Sequence, residues 1–159
     1  MKTIRCIPVL LLGVYLLAGF TQSKPTETEK IDQLIDNWHK AAAEADYTNY
    51  FGFMADNFIF LGTDPTERWN KEQFSGFCKP YFDKGQAWDF RKIERHIEIS
   101  KDGKVAWFDE KISTWMKDCR GSGVLVKVGK VWKLAQYNLA VLIENDKIKE
   151  FIQLRNPVK

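Results

Sequence analysis

The chain predicts an α+β fold: three N-terminal helices packed on a curved, mainly antiparallel sheet. Three features of its 159 residues carry that reading. Apolar residues recur at helical spacing up to about residue 83, and from residue 87 the period becomes two. Asp102-Gly103 and Gly129-Lys130 punctuate the second half as tight turns between long alternating runs. Apolar residues make up 45% of the chain, enough for a packed core, and ten Gly with five Pro are too few for a fibrous or low-complexity chain.

The elements follow in order. Thr26 with Glu29 forms a capping box. It opens a helix whose stripe includes Ile31, Leu34, Ile35, Trp38, Ala41 and Ala42. Residues 47–54 predict a shorter helix with Tyr50, Phe53 and Met54 on its apolar side. Residues 57–61 predict a strand, ended by the loop Gly62-Thr63-Asp64-Pro65. A third helix starts at Asn70 and runs to about Asp83, with Phe74, Phe77, Cys78 and Tyr81 at helical spacing. Residues 88–100, 104–116, 120–128 and 131–143 predict four antiparallel strands, and residues 146–154 a short final helix. Helices over the concave side of such a sheet leave a cone-shaped cavity.

Residues 1–23 read as a signal peptide rather than part of the fold. Lys2 and Arg5 precede an apolar run from Ile7 to Leu17, and Thr21 and Ser23 stand at −3 and −1 of a cut before Lys24. The run is shorter than the roughly 20 residues a membrane span needs. Phe20 occupies the place of a lipidated Cys after Leu17-Ala18-Gly19, so the expected product is unanchored and periplasmic or secreted. Removing Lys2 and Arg5 from the 24 basic residues leaves 22 against 21 acidic ones, with no basic stripe. That balance argues against nucleic acid or a polybasic membrane patch as partner.

Cys6 leaves with the signal. An oxidising compartment permits a bridge between Cys78 and Cys119, and two buried free thiols are the alternative. Their spacing does not suit a metal. His39 and His96 lack a third ligand at useful spacing, so no metal or cofactor is expected.

The local sequence resembles the SnoaL-like branch of the nuclear transport factor 2-like superfamily. The resemblance lies in residues 31–38, 58–64 and 105–110, and above all in Arg120-Gly121-Ser122-Gly123-Val124-Leu125. Gly129-Lys130-Val131-Trp132-Lys133-Leu134 and Ala135-Gln136-Tyr137-Asn138-Leu139 complete it, over about residues 28–144 within a single domain 24–159. The resemblance implies a cone-shaped pocket and a homodimer through the sheet. It does not choose among cyclases, dehydratases, isomerases and binding proteins.

Alternation assigns faces. Lys127 and Lys133 suggest the outer face, which points Arg120, Trp132, Gln136 and Asn138 into the cone, unless a one-residue bulge inverts part of the assignment. On residues 104–116 the choice lies between Trp107 with Asp109 and Phe108 with Glu110; the former pair is placed inward, near Arg120. Trp38, Tyr50, Phe60 and Trp69 join the expected pocket from the helical half. Asp109 and Asp64 are the candidate acid–base groups, because desolvation in an aromatic cavity raises a carboxyl pKa. Against that, an Asp–Arg pair is also a structural pair, and an Asp before Pro65 is also a turn residue. Gly121-Ser122-Gly123 reads as a bend or bulge. The expected function is binding of a small organic ligand. The alternatives are a lyase or isomerase moving a proton next to a carbonyl, or an interaction module with an outer apolar patch at Tyr137 and Leu139.

Overall fold

A computed structural model describes residues 24–155. The expected signal peptide, with Cys6, lies outside the described residues. Thr26 caps α1 (Glu27–Ala43): its hydroxyl accepts the Glu29 N–H at 3.2 Å, and the Glu29 carboxylate accepts the Thr26 N–H at 2.7 Å. Asp46 caps α2 (Tyr47–Gly52), and a second capping box between Asn70 and Gln73 opens α3 (Lys71–Asp83). The first strand, β1 (Met54–Leu61), starts earlier than its apolar pattern suggested, and β2 (Arg68–Asn70) is too short to show a period. Then come β3 (Arg91–Ile99), β4 (Val105–Thr114), β5 (Lys117–Val128) and β6 (Val131–Val141). A 3-10 turn at Asn145–Lys147 leads into α4 (Ile148–Arg155), none of whose residues is buried.

One six-stranded sheet runs in the order β2-β1-β6-β5-β4-β3. All neighbours are antiparallel except β1 and β6. The α+β class and the mainly antiparallel sheet are therefore as the sequence predicts. Both turn signals act as turns: Gly103 and Gly129 have φ of 68° and 62°, the left-handed region Gly enters without steric cost.

Two bulges correct the face assignment. On β6 the register steps from Leu134 opposite Leu125 to Gln136 opposite Val124, so Ala135 is an extra residue. After it Tyr137 and Leu139 turn inward, 1% and 6% exposed, and the expected outer apolar patch there does not exist. Gln136 and Asn138 go to the convex face. On β3 the extra residue is Ile93, which leaves Lys92 on the concave side and Ile93 exposed.

The concave face of β5 is Cys119, Gly121, Gly123 and Leu125, and Arg120 points the other way. On β4 it is Ala106, Phe108, Glu110 and Ile112, which places Trp107 and Asp109 outside. Cys78 and Cys119 are both buried and free, and burial pushes the Cys78 thiol up.

Gly121 and Gly123 are regular strand residues rather than a bend. Their missing side chains leave room for the rings and carboxylate of the neighbouring strands. A Cβ on Gly123 would stand 2.6 Å from the Phe108 ring and 2.8 Å from the Gln136 carbonyl oxygen. Backbone cannot yield cheaply, so Gly123→Ala is expected to destabilise the chain by about 1–3 kcal/mol in urea unfolding, as overpacked cores do.

Candidate functional site

The three N-terminal helices and the concave sheet enclose a cavity of about 210 Å³. Trp38 of α1, Tyr50 of α2, Phe60 of β1 and Trp69 of β2 stand in its wall. Four of the residues expected there are thus brought together. Phe74, Trp88, Tyr137 and Leu139 add to the apolar lining, and Thr63, Glu67, Trp115 and Met116 also line it.

The rings of the wall pack on one another. Phe60 stacks on Phe74 with centroids 4.1 Å apart and planes 9° apart, and Trp69 is within 16° of Phe60. Trp38 stacks on Tyr50 at 5.1 Å and meets Tyr137 edge-on at 4.8 Å. Stacked and edge-to-face pairs fix one another's orientation, so the wall keeps its shape. A larger groove, about 900 Å³, runs beside Pro25, Gln33 and Ile97, but it is an open furrow between α1 and β3.

The remaining expected residues lie elsewhere. Trp107, half exposed, and Asp109 are on the convex face, where Asp109 pairs with Arg120 at 3.8 Å. Gln136 and Asn138 share that face. Trp132 is concave but sits at the start of α1, where its indole N–H donates to Glu27 at 2.8 Å. Lys127 donates to the same Glu27 oxygen at 2.7 Å, which is why a lysine occupies the inner face. Asp64 is spent in its own turn, accepting from the Thr66 N–H at 2.8 Å and hydroxyl at 2.6 Å. His96, on β3, is exposed.

What the sequence reading missed is the polar floor. His39 of α1 lines the cavity and is 6% exposed. Its Nε2 is 2.8 Å from Oε1 of Glu110, which is 0% exposed. Tyr137 donates its hydroxyl to the same oxygen at 2.8 Å. Arg95, its side chain 1% exposed, donates Nε–H to Oε2 at 2.8 Å, and its Nη2 makes a 2.7 Å ion-pair contact there rather than an aligned hydrogen bond. The Arg95 Nη1 reaches back to Asp32 and Asp36 on α1 at 2.6 and 2.8 Å, and Lys92 bridges the same two carboxylates.

Burial alone would raise the Glu110 pKa. The bond from His39, the charges of His39 and Arg95, and the Tyr137 hydroxyl hold it down at about 2 instead. Burial and Glu110 push the Tyr137 phenol well up, and burial does the same to Tyr50. Both phenols are therefore neutral. The Trp38 indole N–H is buried without a partner.

The mouth is built differently. Trp115, 82% exposed, and Met116 form the β4–β5 turn, closed by Lys117 at φ 74°. The Thr114 hydroxyl holds that strained turn, accepting from the Met116 N–H and donating to the Lys117 carbonyl, both at 2.9 Å. Among the described residues no group of three or more His, Cys, Asp or Glu could hold a metal ion, and no helix is long and apolar enough to cross a membrane.

A family profile described as SnoaL-like domain matches residues 31–144. No curated protein matches the chain. Solved structures with the same fold include a nuclear transport factor 2-like protein of unknown function from Pseudomonas putida: 12% identity, 74% of this chain and 88% of that one, TM-score 0.63. A protein from Novosphingobium aromaticivorans, provisionally named a scytalone dehydratase, gives 9% identity, 74% and 85% coverage and a TM-score of 0.62. One from Parabacteroides distasonis, provisionally named a ketosteroid isomerase, gives 14%, 74%, 89% and 0.60. At these identities the likeness is one of fold.

Removing one partner of a buried ion pair strands the other. Glu110→Gln is therefore expected to cost about 3–5 kcal/mol in urea unfolding at neutral pH. Because the folded pKa is depressed, Glu110 stabilises fully above the ordinary carboxylate range, and that stability is lost as pH falls from about 4.5 toward about 2. The variant's acid-unfolding limb in that window should be flatter than that of the wild type.

Proposed function

We propose that this chain, which belongs to the SnoaL-like domain family, is an exported protein that binds a small, flat organic molecule in its aromatic cavity. The observation that carries the reading is the cavity of about 210 Å³ walled by aromatic rings stacked on one another. An apolar cavity of about 150 Å³ accommodates a benzene-sized ring. This one suits a substituted single ring or a fused pair. Apolar surface removed from water supplies the affinity, at about 25 cal/mol per Å². The few polar groups orient the ligand.

Export rests on residues 1–23, with their basic start, apolar run and small residues before Lys24. It would deliver the domain to the periplasm or medium. The alternative of proton transfer by Asp64 or Asp109 gains nothing from their placement, since both lie away from the cavity. For a homodimer, the support is the convex face. There Val105 and Trp107 are 36% and 48% exposed beside the Asp109–Arg120 pair.

Three measurements test these readings. The full chain, produced in an exporting host, should give an intact mass that begins at Lys24. Under denaturing release it should yield a small organic molecule, or the apo protein should gain thermal stability from flat ring compounds. A ligand at about 100 times its Kd adds roughly 2.7 kcal/mol. Retention of residues 1–23 would overturn export, and no stabilisation by any such compound would overturn ligand binding. In sedimentation, the wild type should be a dimer that Trp107→Glu dissociates; a monomeric wild type overturns the sheet-face dimer.

A further inference from the structure

The mouth of the cavity allows a more specific statement about its occupant. It rests on the reading of that cavity as the ligand site. We propose that the bound molecule carries an alkylated ammonium group, seated at the mouth between the Glu67 carboxylate and the aromatic rings around it.

The hairpin of β1 and β2 shows where Glu67 points. Phe60 lies opposite Trp69, and Leu61 opposite Arg68. The Gly62 N–H donates to the Glu67 carbonyl at 2.9 Å, which carries the pairing one step further and sets Glu67 opposite Gly62. Residues directly opposite in an antiparallel pair share a face, and residues two apart along a strand share it too. Glu67 and Gly62 are therefore on the face of Trp69 and Phe60, which line the cavity, as Glu67 itself does. Arg68 falls on the other face. Gly62 is what makes room for the carboxylate: a Cβ there would stand 2.8 Å from Glu67 Cδ. The Asp64 N–H donates to Oε2 at 3.1 Å and holds the side chain in that place. This is the carboxylate's one hydrogen bond among the described residues, so Oε1 is free to meet a ligand.

Charge at the site is one-sided. No Lys or Arg lines the cavity, and Glu67 is the one carboxylate that does. The carboxylates beneath the floor are matched, Glu110 by Arg95, and Asp32 and Asp36 by Arg95 and Lys92. Glu67 has no such partner. A neutral or anionic occupant would take water from it and return nothing, whereas a cation restores what is lost.

The rings beside Glu67 favour the same charge. From Trp69 the aromatic wall continues to Phe77 at 4.7 Å between centroids, and from Phe77 to Tyr81 at 5.6 Å. Phe77 and Tyr81 of α3 are exposed, as is Trp115 of the β4–β5 turn, and all three line the cavity. Ring faces carry the negative side of the quadrupole and attract a cation placed over them. A primary ammonium would exchange its bonds to water for few acceptors here. Alkyl groups on nitrogen have no such bonds to lose, and they pack on rings.

The test uses two probes of one shape. Phenyltrimethylammonium carries the charge, and tert-butylbenzene has carbon in place of its nitrogen. Quenching of tryptophan emission reports occupancy for both, because Trp38, Trp69 and Trp115 line the cavity. The wild type is expected to bind the cation about tenfold more tightly than the neutral probe. Glu67→Gln, which keeps an oxygen for the Asp64 N–H, should abolish most of that preference while tert-butylbenzene binds as before. Should the variant fail to fold, salt decides on the wild type: raising it should weaken the cation and spare the neutral probe. Equal affinity for the two probes, a preference unchanged in Glu67→Gln, or cation binding indifferent to salt overturns the inference. Binding of tert-butylbenzene in any of those cases leaves the cavity reading intact. If neither probe binds, the inference falls, and the screen of flat ring compounds judges the cavity reading separately.

Discussion

A carboxylate with no exposed surface governs this fold. Taking Glu110 out of water costs several kcal/mol unless charge and hydrogen bonds are returned to it. The chain returns them from three separate elements: His39 from α1, Arg95 from β3 and Tyr137 from β6. Each of those contacts constrains the element that makes it. Arg95 also grips Asp32 and Asp36, which fixes how α1 lies across the sheet. Tyr137 reaches inward only because Ala135 is bulged out of register. Gly121, opposite both Glu110 and Leu139, leaves space in which a Cβ would stand 2.8 Å from Glu110 Oε1.

The fold was largely legible because it depends on periodicity, and periodicity is local. Capping boxes at Thr26 and Asn70, the glycine turns and the strand alternation all lie within a few residues of what they specify. The site was half legible for the same reason. Trp38, Tyr50 and Phe60 are large aromatic residues within elements whose apolar pattern is local, and Trp69 is a large aromatic residue in a strand too short to show one. Gln136 and Asn138 were misplaced because face assignment propagates along a strand, and the bulge at Ala135 reverses everything beyond it. Arg120 was misplaced because Lys127 suggested the outer face, and Trp107 with Asp109 because they were placed beside Arg120 on a strand that carries no bulge against β5. Lysines were a poor guide to the outer face. Lys127 is on the inner face because Glu27 of α1 waits for it, 100 residues away in sequence.

Two signals could have found the polar floor. Ala106, Phe108 and Ile112 are a more apolar set than Trp107, Asp109 and Lys111, so Glu110 belonged to the inner face of β4 by count. His39 follows Ile31 and Ile35 at spacings of eight and four, which places it on the buried stripe of α1. Arg95 had no such marker. It sits among charged residues on β3, and only its partners distinguish it from them.

The cavity divides into parts with different freedom to change. Its floor belongs to the network that stabilises the fold, so His39, Tyr137 and their partners cannot vary without endangering the structure. Its side walls are stacked rings that hold each other in place. Its mouth is built from Thr63, Glu67, Trp115 and Met116, of which Trp115 and Met116 stand on a strained two-residue turn. Substitutions there meet solvent on one side and disturb little packing. A domain built this way can change at its entrance while the charge network that holds α1 to the sheet stays intact. The constraint on sequence is then tightest at the polar cluster and loosest at the loop-built rim, since loops at a surface carry fewer packing obligations than the elements they join.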